Sequence, residues 1–244
     1  MRKMAAGNWK MNGALSDLTE LTLLAQRHAM ASVDILMCLP APLIAPAQKE
    51  GVIKIGGQTC HVASSGAHTG DISAQMLVEV GAKAIIVGHS ERRQDHNEDN
   101  ATVQAQARQV IEAGAQAIIC IGETGDARER GETLDVLADQ LAGSVPEGAT
   151  SGNTVIAYEP VWAIGTGVVP TSEQIEEAHR FIRNTLVDRF GSDAQDMTLL
   201  YGGSVKGSNA AEIFSVADVN GALVGGASLR ADDFSPIITA LEAS

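Results

Sequence analysis

Short runs of apolar and β-branched residues alternate along the chain with longer segments that carry helix signals. Eight runs predict strands, at residues 4–9, 33–39, 53–58, 84–88, 116–121, 154–159, 197–201 and 219–224. Because parallel neighbours need a long connection, this alternation predicts a parallel sheet with helical crossovers. Eight units of roughly thirty residues match a closed (β/α)8 barrel, whereas a doubly wound sheet usually has fewer. The fold class predicted is therefore α/β, a barrel of eight parallel strands with outer helices.

Two helix boundaries follow directly from the sequence. Thr171 and Gln174 form a capping box, and the apolar residues after them fall near one helix face, at Ile175, Ala178, Ile182 and Leu186. A second helix, at about residues 100–113, is expected to end at Gly114 in a left-handed cap.

Length and composition fit one large domain. At 244 residues the chain is expected to be a single (β/α)8 barrel over residues 1–244, since α/β barrels of this size form one unit. Its apolar runs are too short to cross a bilayer, and its N-terminal residues do not resemble a signal peptide. We therefore expect a cytoplasmic protein that has no membrane partner.

The net charge and the cysteines limit the kinds of ligand and the redox state that we expect for this protein. A formal net charge of −13 argues against nucleic acid and anionic membranes, so an anionic substrate needs a local positive site. Cys38, Cys60 and Cys120 show no paired spacing, which favours reduced thiols. We also find no metal-ligand spacing and no dinucleotide fingerprint, so neither a metal nor a cofactor is expected.

In a barrel of this kind the catalytic and ligand-binding residues lie at the C-terminal ends of the strands. Lys10 follows strand one and would direct a positive charge into the barrel mouth; the alternative is a solvated loop lysine. His89 follows strand four, and a helix beginning at Ser90 would disfavour its imidazolium form; the alternative is a core histidine. Glu159 ends strand six and is a candidate base, or else a solvated or salt-bridged carboxylate.

The segment of residues 157–167, AYEPVWAIGTG, has the composition of a closing lid. Pro160 stops the strand, four mostly apolar residues follow, and Gly165, Thr166 and Gly167 allow a sharp turn. Such a loop could close over a small anionic ligand and expel water. The alternative is a surface turn with a buried tryptophan.

Glycine pairs follow the last two predicted strands, at Gly202–Gly203 and Gly225–Gly226. Neither pair belongs to a P-loop, but both expose backbone N–H groups that could hold a phosphate where barrels often bind one. The candidate residues together offer a carboxylate base, a neutral imidazole, a fixed cation and an anion-binding turn. This set of groups suits the abstraction of a proton from a carbon next to a carbonyl.

Several long motifs identify the chain as resembling the triosephosphate isomerase family over essentially its whole length. They are GNWKMNG at 7–13, GHSERR at 88–93, CIGE at 120–123, AYEPVWAIGTG at 157–167, YGGSV at 201–205 and GALVGGASL at 221–229. The resemblance implies interconversion of dihydroxyacetone phosphate and D-glyceraldehyde 3-phosphate through an enediolate, a step of glycolysis and gluconeogenesis.

The resemblance also implies a role for each site residue. Glu159 would shuttle the proton, His89 would act as the neutral electrophile, and Asn8 and Lys10 would hold the substrate oxygens. Glu91 would lie near Lys10. The phosphate would be bound by backbone N–H groups of four residues, Gly165, Ser204, Gly225 and Gly226.

A family of this kind is expected to be homodimeric. Residues 57–71 resemble the loop that docks beside the partner's active site, and the alternative is a mobile surface loop. His68 and Thr59 depart from the family's usual aromatic and Asn/Asp residues, and Val168, Val169 and Pro170 make a stiffer lid hinge.

Three other functions stay open at this point. They are a sugar-phosphate epimerase, a Schiff-base aldolase that uses Lys10, and a barrel that serves as a non-catalytic scaffold. A scaffold would be free to lose Lys10, His89 or Glu159, and all three are present.

Overall fold

The computed structural model describes residues 2–48, 53–165 and 168–244, and its eight parallel strands pair in chain order until β1 meets β8. The resulting closed barrel confirms the predicted fold class. The strands are β1 (Met4–Asn8), β2 (Asp34–Cys38), β3 (Lys54–Gly57), β4 (Ala84–Val87), β5 (Gln116–Ile121), β6 (Thr154–Tyr158), β7 (Thr198–Tyr201) and β8 (Gly221–Val224).

All eight predicted strands are present, and the differences lie at their ends. β4 ends at Val87 because Gly88 has a φ of 67°, which turns the chain out of the ladder. β8 begins at Gly221, two residues later than predicted, and this glycine also has a positive φ, of 148°. A Cβ at Gly221 would lie 1.9 Å from the carbonyl oxygen of Met4, so the β1–β8 junction requires glycine there.

Helices cover the outside of the barrel. In the described ranges they are α1 (Thr19–Arg27), α2 (Ala41–Ala47), α3 (Ala74–Glu79), α4 (Ser90–Asp95), α5 (Asn100–Glu112), α6 (Gly125–Glu129), α7 (Thr133–Ser144), α8 (Ser172–Phe190), α9 (Ala210–Phe214) and α10 (Ala231–Ala243). Short 3-10 helices lie at Leu15–Leu18, Val161–Ala163, Gly191–Asp196 and Gly226–Ser228. None of the helices described is long and apolar enough to cross a membrane.

Both predicted helix boundaries are confirmed. The Thr171 hydroxyl accepts from the Gln174 backbone N–H, and the Gln174 side chain accepts in return from the Thr171 N–H at 3.0 Å. The four apolar residues named after this capping box are buried. Gly114 follows α5 with a φ of 83°, the left-handed conformation expected of a C-terminal cap.

The strands are buried on both faces, which explains their nearly continuous apolar sequences. Alternate residues fill the barrel interior, among them Leu36, Ile86, Ile118 and Leu200, while their neighbours pack outward against the helices. Cys38 belongs to the interior group, and burial raises the pKa of its thiol to about 12. All three cysteines are free and buried, which agrees with reduced thiols.

His179 is an ionisable group placed in the core by α8. It is fully buried, its Nδ1 lies 3.0 Å from the Asp218 carbonyl oxygen, and its ring meets the Tyr158 ring edge-on. Burial lowers the pKa of His179 to about 4, and the Asp218 carbonyl only partly opposes that shift. The folded protein therefore holds this imidazole neutral.

We predict that His179 makes the protein less stable in mild acid. Below about pH 6.5 the unfolded chain protonates this histidine, whereas the folded chain does so only near pH 4. The free energy of unfolding should therefore fall by about 3 kcal/mol as the pH drops through that window. Urea unfolding of wild type and His179→Asn at several pH values measures this loss. His96→Asn, at an exposed histidine, is the control and should keep the wild-type slope. An equal slope in all three proteins would contradict the assignment.

Candidate active site

The C-terminal ends of β1, β4 and β6 bring Lys10, His89 and Glu159 to one cavity of about 270 Å³. The ends of β7 and β8 complete its wall. Its lining comprises Asn8, Lys10, His89, Glu159, Ile164, Gly165, Gly202, Gly203, Ser204, Val205, Lys206, Leu223, Gly225, Gly226 and Ala227. Candidate acid/base groups and candidate anion-binding turns therefore share one space.

Glu159 and His89 contact each other directly. Oε1 of Glu159 lies 2.9 Å from Nε2 of His89, and its Oε2 accepts a 2.9 Å hydrogen bond from the Ser90 backbone N–H. Both side chains are buried. The backbone of Glu159 packs closely against Gly122, since a Cβ at Gly122 would lie 1.7 Å from the Glu159 carbonyl oxygen. The carboxylate is thus held by two donors, and the backbone that carries it is fixed by its close contact with Gly122.

His89 is the N-cap residue of α4, as the sequence predicted for a histidine before Ser90. Its Nδ1 accepts a hydrogen bond of 3.2 Å from the Glu91 backbone N–H. A nitrogen that accepts carries no hydrogen, so the ring hydrogen belongs on Nε2, which faces Glu159. This arrangement has the tautomer that a neutral hydrogen-bond donor needs.

The two groups shift each other's pKa. Burial would lower the pKa of His89, but the Glu159 carboxylate, its hydrogen bond and the Glu91 carboxylate raise it above the usual value. Burial would raise the pKa of Glu159, but His89 and the hydrogen bonds from His89 and Ser90 hold it below its usual value. Glu159 is therefore ionised at neutral pH. The raised pKa of His89 corrects the expectation that the start of α4 disfavours its imidazolium form, because the effect of the Glu159 carboxylate outweighs it.

Lys10 enters the cavity from an uncommon backbone conformation. Its φ is 52°, and its Nζ lies 2.5 Å from Oε1 of Glu91. Gln58 stabilises this turn, because its Nε2 lies within hydrogen-bond distance of the Lys10 carbonyl (3.0 Å) and of Oδ1 of Asn8 (3.2 Å). The Asn8 side chain also accepts from the Lys10 backbone N–H at 3.0 Å. These contacts fix the ammonium at the cavity wall.

The two predicted glycine turns form another part of the cavity wall, and Gly225 lies next to Lys10. Gly225 is the N-cap of the 3-10 helix Gly226–Ser228, so the first N–H groups of that helix lie at the cavity. Lys206 lines the same wall, two residues after Ser204. The wall offers backbone donors and a positive charge, which is what an anion such as phosphate requires.

The start of the predicted lid is attached to a buried carboxylate. After Pro160 the chain forms the 3-10 helix Val161–Ala163, and the Trp162 indole N–H donates to Oε1 of Glu123 at 2.8 Å. The hydroxyl of Tyr158 donates to the same carboxylate at 3.1 Å. The half-buried Trp162 is therefore a fixed point at the beginning of this segment. Thr166 and Gly167 of the predicted turn lie outside the described residues.

The structure brings together nearly all of the predicted site residues. Eight of them line the cavity, namely Asn8, Lys10, His89, Glu159, Gly165, Ser204, Gly225 and Gly226. Glu91 is not part of this lining and instead pairs with Lys10 at its edge. Sequence reasoning missed Gln58, Lys206 and the anchoring role of Glu123. Lys206 could have been found from its position after strand seven, whereas the contacts of Gln58 and Glu123 depend on folding.

The fold and the site define a class of protein: a (β/α)8-barrel enzyme with acid/base groups and an anion-binding wall at the C-terminal ends of its strands. Comparison with known proteins gives the family. The triosephosphate isomerase family model matches residues 3–241. The chain therefore belongs to the triosephosphate isomerase family.

Individual relatives agree over the full length. Triosephosphate isomerase from Ruegeria sp. (strain TM1040) is 59% identical, with 100% of this chain and 99% of the relative covered. That from Ruegeria pomeroyi is 60% identical, with 99% and 98% covered. The crystal structure of triosephosphate isomerase from Bartonella henselae matches with a TM-score of 0.93 and 46% identity, covering 100% of both chains.

We predict that Glu159→Gln lowers the pKa of His89 relative to wild type. The variant loses the nearby negative charge that raises this pKa, while the opposing effect of burial remains. Nitrogen-15 NMR of the labelled imidazole during a pH titration measures the change. Glu91→Gln is the matched control and should cause a smaller decrease, since Glu91 raises the pKa less. An unchanged or higher His89 pKa in Glu159→Gln would contradict this account.

Proposed function

We infer that this protein interconverts dihydroxyacetone phosphate and D-glyceraldehyde 3-phosphate through an enediolate intermediate, a step of glycolysis and gluconeogenesis. The observation that carries this inference is the Glu159–His89 pair, in contact at 2.9 Å inside a cavity whose far wall offers backbone N–H groups. A proton-transferring pair beside an anion-binding turn is what a phosphorylated hydroxycarbonyl substrate requires. The full-length family match supports the same reaction.

In our proposal Glu159 acts as the base. Its carboxylate removes a proton from the carbon next to the carbonyl, and the electron pair of that bond forms the carbon–carbon double bond of an enediolate. The hydroxyl proton on the oxygen of the first carbon moves to the former carbonyl oxygen. The same carboxyl group then returns a proton to the neighbouring carbon, which converts ketose to aldose. Its pKa, held low by His89 and Ser90, ensures that the group is ionised before the reaction begins.

His89 supplies a hydrogen bond to the reacting oxygens. Its Nε2 hydrogen is directed at Glu159, so substrate binding has to separate the two side chains. Once Glu159 turns toward the substrate carbon, the main cause of the raised His89 pKa is gone, and burial favours the neutral ring. A neutral imidazole then donates its Nε2 hydrogen to the oxygen on which negative charge develops.

Lys10 and Asn8 hold the substrate oxygens from the opposite side of the cavity. The Lys10 ammonium contributes positive charge next to the enediolate oxygen, and its pairing with Glu91 keeps it in place. The ion pair is the arrangement expected of a fixed cation rather than of an amine that attacks a carbonyl. We therefore prefer this role for Lys10 to that of a Schiff-base nucleophile.

The phosphate is proposed to bind at the glycine wall, through backbone N–H groups of Gly165, Ser204, Gly225 and Gly226. All four residues line the cavity, and a Cβ at Gly225 would lie 3.4 Å from Cε of Lys10, so this wall adjoins the ammonium. Binding energy from the non-reacting phosphate would orient the carbon acid toward Glu159. Closure of the segment after Glu159 would exclude water from the enediolate.

We predict that Glu159→Asp reduces turnover on the order of a hundredfold or more. The substitution withdraws the carboxylate by one methylene, and small misplacements of a reacting group are that costly. The measurement is the steady-state rate of dihydroxyacetone phosphate and glyceraldehyde 3-phosphate interconversion. Glu177→Asp, at an exposed position on α8, is the matched control and should retain wild-type turnover. Robust turnover of Glu159→Asp would remove Glu159 from its role, and no turnover in any protein would exclude the reaction.

We also propose that the protein is a homodimer in which the loop of residues 57–71 docks beside the partner's active site. A second cavity, of about 420 Å³, lies next to Lys10 and is lined in part by Met11, Thr59 and Asp95. The Met11 side chain is 96% exposed, an arrangement that favours coverage by a second copy of the chain.

Light scattering at micromolar concentration should give twice the chain mass of 25.4 kDa. Met11→Asp should shift the protein toward the single-chain mass, because a charge would be buried at the interface. Met30→Asp is the matched control, since Met30 is 94% exposed at the end of the turn after α1. A wild-type mass of 25.4 kDa would contradict the proposed dimer.

A further inference from the structure

Lys206 is a cation at the active-site cavity that has no part in the proton transfers described above. It follows β7 and lines the same cavity as Glu159. Among the cavity-lining residues that the structure describes, Lys10 and Lys206 are the two that carry a cationic amine or guanidinium group. Lys206 does not belong to residues 57–71, the loop proposed to dock at the partner. The cavity that it lines has to stay open to substrate in any assembly.

The turn that carries Lys206 is fixed by its own side chains and by α10. Oδ1 of Asn209 accepts from the Lys206 backbone N–H at 2.8 Å, and Nδ2 of Asn209 donates to the Ser204 carbonyl at 3.1 Å. A Cβ at Gly207 would lie 2.7 Å from Cβ of Pro236, so the turn packs closely against α10. The backbones of Ser204 and Lys206 therefore keep a constant relation to each other. The exposed Lys206 ammonium can still adjust its position on a flexible four-carbon stem.

The charges around the cavity show what Lys206 adds. A phosphate monoester has a second pKa of about 6, so the substrate carries nearly two negative charges at neutral pH. Backbone N–H groups offer hydrogen bonds but no net charge. With His89 neutral, the negative charges of Glu159 and of Glu91, at the cavity edge, exceed the positive charge of Lys10. The net charge of the whole chain, −13, also repels an anion, and Lys206 opposes both effects.

We propose that Lys206 is a substrate-binding residue that favours a dianionic phosphate group, and this assignment rests on the isomerase reaction proposed above. Its ammonium supplies charge beside the backbone N–H groups of Ser204 and Gly225, which line the same cavity. The phosphate does not change its charge during proton transfer, so the attraction is equal for substrate and transition state. Uniform binding of this kind lowers KM and leaves kcat unchanged.

The first test is a titration of the full-length protein with inorganic phosphate, followed by phosphorus-31 NMR. Lys206→Gln should weaken phosphate binding about three- to tenfold at an ionic strength of about 0.01 M, where charges are little screened. At about 1 M salt the Debye length is only about 3 Å, and the difference from wild type should shrink below about twofold. Lys206→Arg keeps the positive charge and should recover most of the affinity.

Lys83→Gln is the matched control. Lys83 is exposed and directly precedes β4, so it lies at the N-terminal face of the barrel, away from the cavity. The substitution removes the same charge from the chain, and phosphate binding should remain close to that of wild type. A comparison of the two variants therefore separates a local effect of Lys206 from a change in net charge.

The second test is the steady-state isomerisation of D-glyceraldehyde 3-phosphate by the same proteins. In low salt Lys206→Gln should raise KM by about three- to tenfold and change kcat by less than about twofold, because it removes uniform binding. A residue that only maintained the fold of the turn would not produce a loss that depends on salt and that arginine repairs.

Three results would overturn the proposal. They are wild-type phosphate affinity of Lys206→Gln in low salt, an equal loss of affinity in Lys83→Gln, and a loss confined to kcat. Phosphate binding is measured without turnover, so the two proposals fail separately. A protein that binds phosphate through Lys206 but does not isomerise the triose would contradict the proposed function. An active isomerase whose phosphate affinity is independent of Lys206 would contradict the role of Lys206.

Discussion

Closure of the sheet between β1 and β8 is the constraint on which the site depends. β1 pairs with β2 on one side and with β8 on the other, so the first and last strands of the chain are neighbours. Because all strands are parallel, their C-terminal ends meet at one rim. Lys10 and Gly225, more than two hundred residues apart in sequence, therefore lie side by side at the same cavity. Gly221 permits this junction, since its missing Cβ is what lets the Met4 carbonyl approach.

The second constraint is that both members of the acid/base pair are buried. Burial alone would favour the neutral form of each group, and each group favours the charged form of the other. This mutual dependence holds Glu159 against His89 and the N-terminus of α4. A substrate has to replace those contacts with its own carbon acid and oxygens. The resting contact and the reactive arrangement thus use the same atoms, Oε1 of Glu159 and Nε2 of His89.

The barrel and most of the site could be predicted because both depend on local sequence order. Each predicted strand, the polar residues at its end and the glycine pairs are adjacent in the chain. Because the C-terminal ends of the strands meet at one face of a (β/α)8 barrel, residues at those ends were expected to form one site. What escaped prediction depends on long-range contacts or on backbone angles. Glu123 is reached by Trp162 from 39 positions away, and Gln58 contacts Asn8 from 50 positions away. The late start of β8 reflects a positive φ at Gly221, which a β-branched pattern does not reveal.

The central claim is that a carboxyl group carries the proton from one carbon to the next. The most direct test is isomerisation of dihydroxyacetone phosphate in deuterium oxide, with NMR analysis of the glyceraldehyde 3-phosphate formed. The account predicts deuterium on the second carbon of a substantial part of the product, because a proton held by Glu159 exchanges with solvent before it is returned. Product without deuterium from the wild type, together with an unchanged rate of its formation by Glu159→Gln, would contradict the account, since hydrogen would then pass directly between the carbons without the base.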